Sequence, residues 1–173
     1  MSDMLQRCGS AFFVSMNVLI RRAEPRDVPR MLELVKELAL FERAPEEVTV
    51  TEEHMRDAGF GPAPVWVGWV AEVDGTVQGM ALCYERYSTW KGRRLYLEDI
   101  IVTEAARGQR LGERLFKACA AHALEKDHDG MVWQVLDWNT GAVRFYERLG
   151  AGFSREWWNG SISKEQLKSL ATA

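Results

Sequence analysis

The sequence predicts a mixed α/β domain, on three observations. Helical and strand-like runs alternate along the chain, and two β-branched runs flank Asp74-Gly75. A third strand-like run, Arg93–Val102, passes into a glycine-containing turn that opens a helix. At 173 residues the chain is one domain's worth. Hydrophobic residues at 47% and charged residues at 27% are ordinary globular usage, which sets aside disorder, collagen and coiled coil. A net charge of −3 argues against general electrostatic binding to nucleic acid or anionic membrane and suits a cationic small molecule. Cys8, Cys83 and Cys119 are scattered and form no CxxC pair. They fit buried thiols in a reducing cytosol, with no disulfide framework and no metal site. No apolar run reaches the ~18 residues of a membrane span, so the expected location is cytoplasmic.

Residues 1–16 show no period and read as an N-terminal extension, or as an upstream start before Met16; residues 17–173 form the domain. Val18–Arg22 reads as a first strand. Asp27 with Pro29 opens a helix whose apolar residues Val28, Met31, Leu32, Val35, Leu38 and Ala39 carry it to about Phe41. Thr51-Glu52-Glu53 opens a short helix, and Gly59–Pro64 reads as a loop. Val65–Val73 and Thr76–Tyr87 form a hairpin about Asp74-Gly75. From Arg110 a helix stripes Leu111, Leu115, Ala118, Cys119 and His122. Met131–Val135 is expected as a short buried strand and Thr140–Leu149 as a helix ended by Gly150. Phe153–Ile162 reads as extended, and Ser163–Gln166 has the spacing of a capping box before a last helix.

Two segments carry chemistry. In the first, the strand ending Ile100-Ile101-Val102 leads to Arg107-Gly108-Gln109-Arg110-Leu111-Gly112. A helix start with unpaired N–H groups, glycines and arginines can hold a diphosphate. An ordinary turn with solvated arginines reads the same way. Adjacent Glu98 and Asp99 should point to opposite faces of their strand, and carboxylates in an apolar strand are rare unless paired or functional. A salt bridge to Arg93 or Arg94 is the plainer explanation. In the second segment, Asn139 is a good N-cap before Thr140–Gly150, and Tyr146 there could simply be amphipathic core.

Together the two segments are more specific. An Arg-Gly-x-x-x-Gly turn after a strand, then Asn-x-x-Ala-x-x-Phe-Tyr-x-x-x-Gly about thirty residues on, resembles the GNAT superfamily of acetyl-CoA-dependent acyltransferases. The stretches Ile20–Ala23, Lys36–Ala39, Phe41-Glu42, Asp57–Gly61, Thr89-Trp90, Leu95–Asp99 and Trp138-Asn139 are similar to its diamine branch, the spermidine/spermine acetyltransferases and their thialysine-acetylating relatives. The similarity runs from Val18 to about Leu170.

The resemblance implies the GNAT fold, a mixed and mostly antiparallel central sheet flanked by helices. It implies acetyl-CoA as co-substrate, a primary amine of a small cationic acceptor as the other substrate, and a homodimer. Glu98 would assist deprotonation of the ammonium and Tyr146 would protonate the departing thiolate. Ile100, Ile101 and Val102 would pair with pantetheine. Arg107, Gly108, Gln109, Arg110, Leu111, Gly112 and Glu113 would cradle the pyrophosphate, and Asn139, Thr140, Gly141 and Ala142 would line CoA. Phe41, Glu42, Trp90, Glu98, Trp133 and Gln134 would meet the acceptor, where acidic and aromatic groups attract an ammonium. Two positions depart from the family: Arg110 stands where glycine is usual, and Leu149 where animal enzymes often carry a basic residue. Another acceptor amine (an aminoglycoside, an amino acid or a protein amine) or a non-catalytic acetyl-CoA sensor are the competing readings. Trp157 and Trp158 fit either core or interface.

Overall fold

The computed structural model describes residues 17–172, so the expectations on residues 1–16, Cys8 included, lie outside the described residues. Two compact units divide at Gln134/Val135. In the first, strands β1 (Val18–Arg22), β2 (Val67–Val73), β3 (Thr76–Ser88), β4 (Gly92–Val102) and β5 (Met131–Val132) form one sheet in that order. Each pair from β1 to β4 is antiparallel, and β5 joins β4 in parallel. Helices α1 (Val28–Phe41), α2 (Glu52–Phe60) and α3 (Leu111–Glu125) belong to this unit. This is the expected mixed, mostly antiparallel sheet with helices. Among the described residues no helix is long and apolar enough to cross a membrane.

Local chemistry sets the elements. Asp74 (φ 48°) and Gly75 (φ 80°) are both left-handed, as a two-residue hairpin turn between right-twisted strands requires. Thr51 caps α2 by accepting from the His54 N–H. Asp27 precedes α1 as expected but makes no side-chain cap there. Its carboxylate instead takes two bonds from the Arg21 guanidinium, at 2.7 and 2.9 Å, and one from the Glu24 N–H at 2.8 Å. That clamp ties the start of α1 to β1. α2 runs on to Phe60, two residues into the expected loop. Gly59 lies so close to the Trp66 indole that a Cβ would overlap it, and Phe60 meets that indole edge-on at 5.2 Å.

Alternation along the strands divides the core into two layers. Val70, Met80, Leu82 and Ile101 pack with Met31, Leu32 and Leu34 of α1 and Met55 of α2. The opposite face, with Trp69, Ala71, Ala81, Cys83 and Leu97, is covered by α3 through Leu111, Leu115, Cys119 and Ala123. Cys83 and Cys119 are buried free thiols, as expected, and the contact between them together with burial pushes the Cys83 thiol far up.

The second unit holds α4 (Thr140–Arg148) and α5 (Lys164–Ala171). Asn139 caps α4 by accepting from the Ala142 N–H at 3.1 Å, and Ser163 with Gln166 forms the expected capping box. Two expected strands change. β5 is two residues long where Met131–Val135 was expected, and Phe153–Ile162 forms no strand. Aromatic and β-branched runs favour extended backbone, but a strand also needs a neighbour for its N–H and C=O groups, and this segment has no ladder within the described residues.

Candidate active site

The site begins with one extra residue in β4. Leu82 of β3 pairs with Asp99 while Cys83 pairs with Leu97, which leaves Glu98 as a β-bulge. The bulge corrects the expectation that Glu98 and Asp99 face opposite ways. Asp99 shares the α1-bearing face through its pairing with Leu82, and the Glu98 carboxylate acts on the Tyr84 hydroxyl of that same face. Tyr84 and Tyr96 stack there with ring centroids 5.0 Å apart, and the Arg86 guanidinium lies 5.7 Å from the Tyr96 ring.

Three carboxylates gather beside these rings. Burial, then the neighbouring Glu98 and Glu42, push the Asp99 carboxyl up to about 6. Glu42, at the C-terminal end of α1, is raised by partial burial. Burial and then Glu98 raise both tyrosine hydroxyls above their usual range. The salt bridges expected from sequence do not form: Arg93 pairs with Glu85 at 3.6 Å, and Arg94 donates to the Met131 carbonyl at 3.3 Å. Among the described residues no ion pair involves Glu42, Glu98 or Asp99. An acidic cluster in no such ion pair is what an ammonium-bearing ligand would neutralise.

The sequence reading assigns site roles to Glu42 and Glu98 and none to Asp99, Tyr84 or Tyr96. The unusual pair of adjacent acids was the available signal. What it lacked was the bulge, which no glycine marks.

The same strand reaches the expected phosphate cradle. β5 accompanies β4 only at Leu95 and Tyr96, so from Leu97 to Val102 that edge of β4 has no strand beside it among the described residues. Ile100, Ile101 and Val102 lie on this edge, with main-chain groups of the kind that pair with an extended amide chain. Beyond it, Gly108 (φ 83°) has open space where a Cβ would stand. Arg110 takes the left-handed conformation (φ 58°) at the α3 N-cap and offers no side-chain cap. The first-turn N–H groups of α3 therefore meet no capping side chain and have the geometry of an anion site. Gln109 leaves a buried side-chain oxygen without a protein partner. Arg107 lies 5.9 Å from the Phe41 ring, which joins this turn to the end of α1 beside Glu42. Leu111 is buried under the sheet, Gly112 continues the first helical turn, and Glu113 is drawn to Lys117 at 2.5 Å. These residues fit a CoA-like diphosphate and amide arm.

The remaining candidates are more dispersed. Trp90 is 82% exposed at the tip of the β3–β4 hairpin, seven residues of β4 away from Asp99's end of the strand. Trp133 packs edge-on against Phe116 of α3 at 5.4 Å, on the other face from Glu98, and Gln134 is exposed. Within the second unit, Tyr146 is buried between Phe145 at 5.0 Å and Phe153 at 6.4 Å. Asn139 spends its side-chain oxygen on the α4 cap, while Thr140, Gly141 and Ala142 form the first turn behind it. Among the described residues no three His, Cys, Asp or Glu side chains are grouped to hold a metal.

Comparison with known proteins places these features in context. Residues 28–151 match the model of the acetyltransferase (GNAT) family. A Bos taurus protein named thialysine N-epsilon-acetyltransferase is 41% identical over 142 residues, 78% of this chain and 84% of its own. A Homo sapiens protein named spermidine/spermine N(1)-acetyltransferase-like protein 1 is 32% identical over 88% of this chain, which matches 23% of that longer protein. The solved structure of an aminoglycoside N-acetyltransferase in complex with CoA shares the fold, with TM-score 0.69 over 85% of this chain and 95% of that one at 17% identity.

Proposed function

The chain belongs to the acetyltransferase (GNAT) family, and from that premise we propose that it moves an acetyl group from acetyl-CoA to a primary amine of a small cationic acceptor, a polyamine or a thialysine-like amino acid. That it is an N-acetyltransferase follows from the family and its relatives. The carboxylate cluster of Glu98, Asp99 and Glu42, which forms no ion pair among the described residues, is the observation that carries the choice of acceptor. An ammonium entering there meets negative charge and two aromatic rings at once.

Acetyl-CoA, the co-substrate of GNAT acetyltransferases, supplies an activated acetyl thioester when bound. The α3 N-terminus, Gly108 and Arg110 would hold its diphosphate, and the open edge of β4 its amide arm. Glu98, on the bulge, would accept a proton from the acceptor ammonium, directly or through water, so that the amine can act as a nucleophile. Asp99 would hold the ammonium in register. The Tyr146 hydroxyl would deliver a proton at sulfur as the thiol leaves. With an ordinary pKa near ~10 against ~8.5 for a thiol, a tyrosine needs its site's help for that transfer. The family model spans both compact units, which supports reading residues 17–173 as one catalytic domain. A homodimer and a cytoplasmic location complete the proposal by family resemblance.

The test is thiol release from acetyl-CoA with spermidine, spermine, putrescine, lysine, thialysine and an aminoglycoside. Turnover on a polyamine or thialysine is expected, reduced roughly 10²–10⁴-fold in Tyr146→Phe and Glu98→Gln, with acetyl-CoA binding retained. Acetyl-CoA binding without turnover on any diamine or amino acid would overturn the acceptor assignment. Turnover untouched by Tyr146→Phe would remove that residue from the mechanism.

A further inference from the structure

On the sheet face away from Glu98, α3 and the edge strand β1 border a groove of ≈ 870 Å³. One wall is a single face of α3, where Arg114, Lys117, His122 and Lys126 recur at helical spacing with Ala118 and Ala121 between them. The other wall is β1, with Ile20 and Arg22, and Trp69 lies at the base.

The charges on this groove do not cancel. Arg21 is matched by Asp27 and Glu72, and Lys117 by Glu113. Arg22, Arg114 and Lys126 form no ion pair among the described residues, and Glu125 is the sole acid in the lining. The Arg22 guanidinium rests 4.6 Å from the Trp69 ring centre, and Arg114 reaches across to the Val18 carbonyl at 3.0 Å. On a chain of net charge −3 this is a local cationic excess.

The edge of β1 adds a second kind of recognition. Ala23 donates its N–H to the Gly68 carbonyl, so odd-numbered residues of β1 turn their main-chain groups toward β2, and Val18, Ile20 and Arg22 turn theirs outward. Arg114 takes the Val18 carbonyl and Arg21 the Arg22 carbonyl, which leaves both groups of Ile20 available among the described residues. From Arg114 to Lys126 the helix rises about 18 Å, close to the span of five or six extended residues.

We propose that this groove docks an extended acidic peptide segment of a partner protein, which adds a strand beside β1. Its backbone pairs with Ile20, its apolar side chains rest on Ala118 and Ala121, and its carboxylates meet Arg22, Arg114 and Lys126. A small phosphate ligand would use the charges but neither the apolar base nor the strand edge, so the peptide accounts for more of what is present.

The probe is a fluorescein-labelled hexapeptide Glu-Thr-Val-Thr-Glu-Thr, whose glutamates and valine share one strand face, followed by anisotropy with the full chain at low salt. Saturable binding is expected, weakened at least tenfold by Lys126→Glu and by Arg22→Glu, and by N-methylation of alternate peptide amides. Lys126 is exposed, so that variant stays informative if Arg22→Glu, which loses its contact with Trp69, folds poorly; acetyl transfer by Lys126→Glu should be unchanged. The proposal fails if no binding is seen at millimolar peptide, if Lys126→Glu binds equally well, or if the N-methylated peptide binds as tightly. It also fails if inorganic tripolyphosphate binds where the peptide does not, which would mark a small-anion site. Binding seen only after residues 1–16 are deleted would assign the groove to this chain's own N-terminus instead.

Discussion

Asp99 holds a carboxyl that burial and two acidic neighbours keep protonated up to about pH 6, against 3.8 for an ordinary aspartate. Between those values the folded state binds more protons than the unfolded one, so stability falls as pH rises through the window and the deficit persists above it. Asp99→Asn removes the buried charge. It should match the wild type in denaturant unfolding near pH 4 and exceed it at pH 7.5, by up to about 3 kcal/mol. The acceptor should feel the same titration with opposite consequence. Ionised Asp99 attracts an ammonium, so the wild-type acceptor KM is expected to fall from pH 5 to pH 7, and the Asp99→Asn profile to be flatter. Initial rates across that range, with acetyl-CoA saturating, provide the check. Composition could reveal that Glu98 and Asp99 were unusual residues for an apolar strand. It could not reveal that both serve one face, because that depends on the ladder skipping Glu98 opposite Leu82 and Cys83.

At the scale of elements, local signals were the readable ones. α1 to Phe41, the Asp74-Gly75 turn and the Ser163–Gln166 cap each depend on residues within a few positions of one another. β5 and the Phe153–Ile162 segment depend on which neighbour is available, and there the expectations missed. Two elements also make quantitative predictions. The Asp27 clamp at the start of α1 is 5% exposed at Asp27 and 17% at Arg21. Burial alone would raise the Asp27 carboxyl, but bonds from Arg21 and the Glu24 N–H, with the charges of Arg21 and Arg26, hold it below its usual value. Asp27→Ala strands the Arg21 charge beside only Glu72 and should cost about 3 kcal/mol in urea unfolding. In the wild type this clamp is intact above the ordinary carboxylate pKa and is lost as pH falls through the lowered folded value, a window below pH 3.8. At the α3 cap, Arg110 occupies a left-handed conformation that costs a non-glycine residue roughly 1 kcal/mol. Arg110→Gly is therefore expected to raise the melting midpoint by about 2–4 °C. Isothermal titration should show weaker acetyl-CoA binding in the same variant if the guanidinium helps hold phosphate.

Over the whole first unit, the sheet separates charge of opposite sign. The α1-bearing face carries the uncancelled acids Glu42, Glu98 and Asp99, and the α3-bearing face carries Arg22, Arg114 and Lys126. A net charge of −3 conceals both regions, since composition sums charges without placing them. With a Debye length of about 10 Å at 0.1 M and 3 Å at 1 M, salt should weaken the capture of a cationic acceptor. Raising ionic strength from 0.05 to 0.5 M is expected to increase the acceptor KM several-fold with little change in kcat, and a neutral-amine acceptor analogue should show a smaller rise.

The bulge at Glu98 has a consequence for how such an enzyme diversifies. An inserted residue is absent from the pairing ladder, and Glu98 is exposed while Leu97 and Ile101 on the same strand are buried. Its side chain can be exchanged without reopening the packing of either layer. Selection on the proton transfer proposed for Glu98 then acts with little cost to folding, so the chemistry of the amine and the folding of the chain can evolve on separate schedules.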